Sequence, residues 1–119
     1  MKNKSSYYED HPYILYKSVE NSPFPLPTNS LGLVGKAEYK KKKAKNIRRI
    51  LVIGGSTVEG LPPHNENPTN NPNLTWSHLL EERLNKHIEE TSSKIKYEVL
   101  NLSSSGYTSY ECLLSYICK

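Results

Sequence analysis

The sequence predicts an α/β fold with a parallel sheet. Two short apolar segments, Ile50–Ile53 and Lys96–Leu102, each end in small residues typical of turns, and each precedes a segment with helical spacing of its apolar residues. The resulting order is strand, helix, strand, helix, and a helix is the usual crossover between parallel strands. With 119 residues, the chain has room for at most one domain.

The composition predicts a protein that does not span a membrane. Hydrophobic residues make up 35% of the sequence even with its nine tyrosines counted, which is low for a globular chain. No segment approaches the ~18 consecutive apolar residues of a membrane span. Residues 1–22 lack the apolar core of a secretion signal, because charged residues and proline interrupt them. We therefore expect a cytoplasmic protein, in which Cys112 and Cys118 are free thiols.

Residues 1–45 are predicted to form an irregular arm followed by a basic linker. Four prolines in this segment preclude a long helix. Its tyrosines, from Tyr7 to Tyr16, are expected to pack on the domain surface, which would make the arm ordered. The stretch Asn29–Leu33 has turn chemistry around Gly32.

Half of the basic residues lie in one short segment. Eight of the sixteen fall between Lys36 and Arg49, and the net charge of the chain is +4. Such a run is compatible with nucleic acid or an anionic surface as partner, but it is also typical of a solvated linker. The second interpretation is favoured, because Tyr39 is the only aromatic residue in the run and no recognition fold accompanies it.

Residues 46–119 are predicted to be the α/β domain, and its first strand ends at an exposed hydroxyl. The run Ile50–Ile53 favours a strand buried on both faces. Gly54 and Gly55 allow a sharp turn, which places Ser56 and Thr57 at N-cap positions. A hydroxyl there lies close to free backbone N–H groups, and this suits either a nucleophile or an anion site.

The remaining elements follow from spacing. Residues Leu61–Asn73 are rich in proline and asparagine and are predicted to be a loop beside the Ser56 turn. A helix from Trp76 to about Glu90, with Thr75 as its N-cap, is predicted from an apolar face. That face consists of Trp76, Leu79, Leu80, Leu84 and Ile88, and the charged residues between them are expected to face water.

The second strand, Lys96–Leu102, is followed by a turn of small residues up to Gly106. Thr108 or Ser109 is predicted to cap a last helix that runs through Ile117. If the two strands are neighbours, both turns emerge at the carboxyl edge of the sheet, where open α/β folds bind their ligands. The fold therefore brings Ser56 and Gly106 to one place.

The two turns resemble a known family. Gly54–Thr57 and Asn101–Thr108 are similar to the first two conserved blocks of the SGNH/GDSL hydrolases, and His11–Tyr13, Asn29 and Gly32 resemble the arm that precedes them in bacterial members. The resemblance implies a three-layer, flavodoxin-like parallel-sheet fold. It also implies that Ser56 is the nucleophile and that the amides of Ser56 and Gly106 are oxyanion donors. Gly55 stands where the commonest motif has aspartate.

Two further blocks of that family have no counterpart here. Neither Gly-x-Asn-Asp, which supplies a third oxyanion donor, nor Asp-x-x-His, which supplies acid and base, occurs in the sequence. Of the histidines, His64 borders the site, whereas His78 and His87 are expected to be ordinary surface or packing residues. We therefore expect the amino-terminal part of a hydrolase, with an incomplete fold and no activity alone. The implied substrate is an acyl ester or an acylated carbohydrate or lipid, and no cofactor or metal is implied.

Three alternatives stay open. Gly54–Thr57 is compatible with a phosphate- or nucleotide-binding turn, although the spacing of neither glycine-rich phosphate motif is present. Residues 36–49 are compatible with nucleic-acid binding. The simplest alternative is a strand-to-helix turn whose hydroxyl only caps the helix.

Overall fold

A pair of parallel strands organises the structure, which is a computed structural model that describes residues 7–22, 26–60 and 75–118. Seven elements follow one another along the chain: β1 (Tyr8–Asp10), β2 (Tyr16–Ser18), β3 (Ile47–Val52), α1 (Ser56–Glu59), α2 (Trp76–Glu90), β4 (Lys96–Asn101) and α3 (Ser109–Cys118). The predicted Leu61–Asn73 loop lies outside the described residues. The predicted α/β class is confirmed, since a crossover carrying α2 joins two parallel strands.

Strands β3 and β4 pair in register from one end to the other. Ile47 lies opposite Lys96, and Val52 lies opposite Asn101. The predicted parallel pairing is therefore confirmed, although the first strand begins three residues before the predicted Ile50 and each strand ends one residue earlier than predicted. On its other side, Asn101 forms an antiparallel bridge with Val34 of the arm.

The core is small and leaves one face of the sheet partly open. Val52, Val99 and Leu100 are buried, but the side chain of Leu51 is 42% exposed. The prediction that this first strand is buried on both faces is wrong for Leu51. Helix α2 packs against β4, whereas α3 has no comparable contact with any element in the described part of the chain. A parallel strand is buried on both faces only when helices cover both.

Side chains of α2 cover the free edge of β4. The side-chain amide of Asn85 pairs with both backbone groups of Tyr97, at 2.8 and 3.0 Å. The Glu81 carboxylate accepts a hydrogen bond from the Val99 N–H at 2.6 Å. The expectation that Glu81 faces water is therefore wrong, because this edge has backbone groups that need partners.

The helix α2 has the predicted bounds, and Thr75 lies at its N-cap. The predicted apolar face is wrong at its amino-terminal end, where Trp76 and Leu79 are 43% and 40% exposed. Ser77 is the buried residue of this first turn. Its hydroxyl accepts a hydrogen bond from Asn101 at the end of β4, and this contact places the polar side of the turn against the sheet.

The arm contains regular structure that was not predicted. Strands β1 and β2 form an antiparallel hairpin, in which Tyr8 pairs with Ser18 and Asp10 with Tyr16. The prediction of an irregular arm is wrong for these residues. The expectation that the arm's tyrosines pack on the domain is confirmed for Tyr8 and Tyr16, whose hydroxyls bond to Glu59 and to the Ser105 carbonyl oxygen, but it is wrong for Tyr13, which is 73% exposed.

The predicted turn at Asn29–Leu33 is confirmed. Gly32 has a φ of 69°, and the Asn29 side chain accepts hydrogen bonds from the N–H groups of Leu31 and Leu33 at 2.9 and 3.0 Å. Asn29 is almost fully buried. This turn delivers Leu33 to the apolar cluster that it forms with Leu100 and Leu102.

The last helix begins at Ser109, directly after Thr108, which is one of the two predicted capping residues. The Thr108 N–H and hydroxyl both donate to the Glu111 carboxylate, and the Tyr110 N–H donates to the Thr108 hydroxyl at 3.3 Å. Thr108 and Glu111 thus form a capping box. Cys112 and Cys118 are both free, as predicted.

Candidate functional site

The two small-residue turns lie side by side at the carboxyl ends of β3 and β4. The backbone ladder continues beyond the strands, because the Leu102 N–H donates to Val52 O at 2.9 Å and the Ser104 N–H donates to Gly54 O at 3.1 Å. A Cβ atom added at Gly55 would lie 3.4 Å from the carbonyl oxygen of Tyr107. The turn that carries Ser56 is therefore in direct contact with the turn that carries Gly106.

Ser56 is the first residue of α1, and its side chain is exposed. The N-cap is Gly55, so the prediction that Ser56 and Thr57 occupy N-cap positions is wrong: they are the first two residues of the helix. As the first helical residue, Ser56 has a backbone N–H without an acceptor inside the helix. A Cβ atom at Gly54 would lie 2.5 Å from Val58 Cγ2, which explains why glycine is needed just before this corner.

Gly106 lies at the bend of the second turn. Its φ is 79°, and the Tyr107 N–H closes the turn by donating to Ser104 O at 3.2 Å. Among the described residues, none accepts a hydrogen bond from the Gly106 N–H. A Cβ atom at this position would lie 2.5 Å from the hydroxyl oxygen of Tyr16. Two N–H donors and one exposed hydroxyl thus belong to adjoining turns.

Asn101 joins three elements beneath these turns. Its side-chain N–H₂ donates to Val58 O and to the Ser77 hydroxyl, both at 3.2 Å, and its side-chain oxygen accepts from the Ser103 N–H at 3.0 Å. Its side chain is 1% exposed. Asn101 belongs to the second block of the resemblance. Its structural role could have been predicted from its position, because it is a polar residue at the end of an apolar strand.

Glu59 is a buried carboxyl group directly behind the Ser56 turn. It is fully buried, and the Tyr8 hydroxyl lies 3.2 Å from each of its carboxyl oxygens. Burial raises the pKa of Glu59 to about 7, although hydrogen bonds from Tyr8 and from the Ser105 backbone act in the opposite direction. No basic side chain in the described part of the chain forms an ion pair with it. Sequence reasoning missed this residue, because helical position alone does not reveal its burial.

Four tyrosines, Tyr7, Tyr8, Tyr16 and Tyr107, form a tyrosine cluster between the hairpin and the second turn. Successive ring centroids lie 4.7, 5.0 and 5.6 Å apart. The Tyr107 hydroxyl donates to the Tyr16 carbonyl oxygen at 2.6 Å, and the Tyr16 hydroxyl donates to the carbonyl oxygen of Ser105. Burial is the main cause that raises the pKa of Tyr107 to about 12. The cluster fastens the hairpin to the turn that carries Gly106.

The described histidines are not hydrogen-bonded to Ser56. His11 lies in the hairpin loop, where its Nδ1 accepts hydrogen bonds from the N–H groups of Tyr13 and Ile14, both at 3.3 Å. His78 and His87 lie on α2, and His78 Nε2 is 3.6 Å from a carboxyl oxygen of Glu82. His64 lies outside the described residues. Within those residues, no group of His, Cys, Asp and Glu side chains is arranged to hold a metal ion.

The basic residues between Lys36 and Arg49 contact the linker and the sheet, not the two turns. Its lysines are exposed, whereas Arg49 forms an ion pair with Glu98 at 2.6 Å and donates to the backbone of Lys40 and Lys41. Arg49 is thus a structural residue that anchors the linker to the sheet.

Comparison with known proteins leaves the site to be interpreted from its own geometry. No family model, no curated protein and no solved structure matches this chain. No helix in the described residues has the length and apolar character needed to cross a membrane.

Proposed function

We propose that this chain carries the nucleophile and two oxyanion donors of a serine ester hydrolase of the SGNH/GDSL type, with a three-layer, flavodoxin-like fold. One observation supports the proposal most: the Ser104 N–H donates to Gly54 O at 3.1 Å, which sets the Ser56 turn against the Gly106 turn. The exposed hydroxyl of Ser56 and the two backbone N–H groups then border the same edge of the sheet. Acyl transfer requires this combination of groups.

The reaction follows from their chemistry. Ser56 Oγ attacks the carbonyl carbon of an ester, its proton passes to a general base, and the carbonyl oxygen becomes an oxyanion. The N–H groups of Ser56 and Gly106 stabilise that oxyanion. Collapse of this intermediate breaks the bond to the alcohol oxygen, which takes up a proton and leaves. Water then attacks the acyl-enzyme by the same route and releases the acid.

The family's acid and base have no counterpart by motif in these 119 residues. The family's Asp-x-x-His and Gly-x-Asn-Asp sequences do not occur here. Without a base, a serine hydroxyl is a weak nucleophile at neutral pH. We therefore expect negligible turnover by this chain and slow, site-specific reaction of Ser56 with strong electrophiles.

A phosphate-binding role receives less support from the geometry. Helix α1 has only four residues before Gly60 ends it, so few aligned peptide dipoles face an anion at its amino terminus. The substrate class proposed here is an acyl ester, carried by a small molecule, a carbohydrate or a lipid.

Covalent labelling tests the nucleophile. The protein is incubated with a fluorophosphonate probe and with imidazole as a soluble base, and the adduct is quantified and mapped by mass spectrometry. We expect the adduct on Ser56, its loss in Ser56→Ala, and its retention in the matched variant Thr57→Ala, which removes the neighbouring exposed hydroxyl. Equal labelling of Ser56→Ala and the unmodified sequence would contradict the proposal.

A further inference from the structure

One hydrogen bond of the tyrosine cluster reaches the peptide that carries the Gly106 N–H. The Tyr16 hydroxyl donates to the carbonyl oxygen of Ser105. That carbonyl group and the Gly106 N–H belong to the same planar peptide unit, in which the two groups point in opposite directions. A bond that fixes the oxygen therefore also fixes the direction of the N–H.

This peptide is the central one of a turn with two accessible forms. Gly106 has a φ of 79°, Ser105 is not among the residues with positive φ, and the Tyr107 N–H bonds to Ser104 O. These features define a type II turn over residues 104–107. A type I turn differs from it mainly by rotation of the central peptide, and glycine at its third position tolerates either form. The orientation of the Gly106 N–H therefore depends on what holds the Ser105 oxygen.

Tyr16 itself is held in place from both sides. The Tyr107 hydroxyl donates to its carbonyl oxygen at 2.6 Å, and its ring packs against the rings of Tyr8 and Tyr107 with centroids 5.0 and 5.6 Å away. The Tyr16 hydroxyl also occupies the space that a side chain at position 106 would need, because a Cβ atom there would lie 2.5 Å from it. The hairpin thus places a fixed donor against this peptide.

We propose that Tyr16 is a positioning residue of the oxyanion site: its hydroxyl holds the Ser105–Gly106 peptide in the orientation that presents the Gly106 N–H to the substrate. The consequence for acyl transfer rests on the proposed function, whereas the effect on the peptide does not. The same hydrogen bond polarises the peptide and makes its N–H a stronger donor. The hairpin therefore contributes to the site through Tyr16, although Tyr16 precedes Ser56 by 40 positions in the sequence.

The test compares Tyr16→Phe with Tyr13→Phe, a matched variant that removes an exposed hydroxyl from the same hairpin. The first measurement is the ¹H and ¹⁵N chemical shift of the Gly106 amide by NMR. The second is the rate of fluorophosphonate labelling at Ser56 in the presence of imidazole. We expect Tyr16→Phe to move the Gly106 resonance and to slow labelling about tenfold, which is less than the loss typical of removing a donor outright. Tyr13→Phe is expected to change neither.

The outcomes separate the two proposals. An unchanged Gly106 resonance together with an unchanged labelling rate in Tyr16→Phe overturns the role of Tyr16 and leaves Ser56 as nucleophile. Labelling that does not depend on Ser56 overturns the proposed function, and the Gly106 resonance still decides whether Tyr16 orients the peptide. If Tyr16→Phe does not fold, the hydroxyl proton of Tyr16 in the unmodified protein decides. A slowly exchanging proton with an Overhauser contact to Gly106 supports the proposal, and rapid exchange with water contradicts it.

Discussion

The hydroxyl of Tyr8 lies 3.2 Å from both carboxyl oxygens of Glu59, 51 positions further along the chain. This contact joins the amino-terminal hairpin to the short helix that begins at Ser56. Because Glu59 is fully buried and has no described cation as a partner, the hydrogen bonds that reach it determine how much its burial costs.

The stability of the protein is expected to fall as pH rises through the titration of Glu59. Burial raises the pKa of this carboxyl group from 4.5 to about 7 in the folded state. The folded state therefore binds the proton more tightly, and the resulting stabilisation is complete below about pH 4.5, falls progressively as pH rises from there, and is lost once pH has passed about 7. The free energy of unfolding should decrease by roughly 3 kcal/mol over this interval. Urea denaturation at a series of pH values measures it.

The variant Glu59→Gln isolates the contribution of this carboxyl group from that of the other charged groups. It should lose most of the pH dependence, whereas Glu82→Gln, at an exposed position of α2, should keep it. Identical pH profiles for Glu59→Gln and the unmodified protein would show that Glu59 does not titrate in this range.

Removing the Tyr8 hydroxyl should destabilise the protein and shift that titration. In Tyr8→Phe the buried carboxyl group loses a donor, and the expected cost is about 1 to 3 kcal/mol. Since the hydrogen bond from Tyr8 lowers the pKa of Glu59, its loss should move the pH dependence upward. Tyr110→Phe, which removes an exposed hydroxyl, serves as control. Equal denaturation midpoints and equal pH profiles for the two variants would refute the role of Tyr8.

Replacing Asn101 should cost more than replacing an exposed asparagine. Asn101→Ala leaves Val58 O, the Ser77 hydroxyl and the Ser103 N–H without this partner in a buried region. We expect a loss of about 2 to 4 kcal/mol in the free energy of unfolding. Asn46→Ala removes one exposed hydrogen bond of 3.3 Å and should cost less than about 1 kcal/mol. Chemical denaturation of the two variants gives the comparison, and a similar cost for both would contradict it.

Alanine variants at two glycines with positive φ distinguish the cost of backbone strain from the cost of a steric contact. Gly35 and Gly106 have φ values of 116° and 79°, but a Cβ atom at Gly35 meets no atom within 4 Å, whereas one at Gly106 meets the Tyr16 hydroxyl at 2.5 Å. Both alanine variants carry the cost of an unfavourable φ, about 1 to 3 kcal/mol. Gly106→Ala should also displace Tyr16, which a shift of the Tyr16 ring resonances would report. Unshifted Tyr16 resonances in a folded Gly106→Ala protein would show that the contact is absent.

The regular elements of the domain were predictable because local patterns determine them. The spacing of apolar residues predicted α2 within its observed bounds, and two short apolar segments separated by a helix predicted the parallel pairing of β3 and β4. The contact between the Ser56 and Gly106 turns followed from that pairing, because parallel strands end at the same edge of the sheet.

The contacts that complete the site were not predictable in this way. The hairpin consists of two three-residue strands with no clear alternation, so its register depends on packing against the domain. Tyr8 donates a hydrogen bond to the buried carboxyl group of Glu59, and the Tyr16 hydroxyl bonds to the peptide of Gly106. Both tyrosines precede the domain in sequence, and no local pattern connects them with the residues that they contact.

The most direct test of the central claim is the NMR spectrum of the protein after phosphonylation of Ser56. In that adduct a phosphoryl oxygen stands in for the oxyanion of the ester reaction. If Ser56 and Gly106 form one site, the amide protons of both residues move downfield when the adduct forms, because each donates to that oxygen. A Ser56 adduct that leaves the Gly106 amide proton where it was would show that the two turns, although in contact, do not act on the same atom.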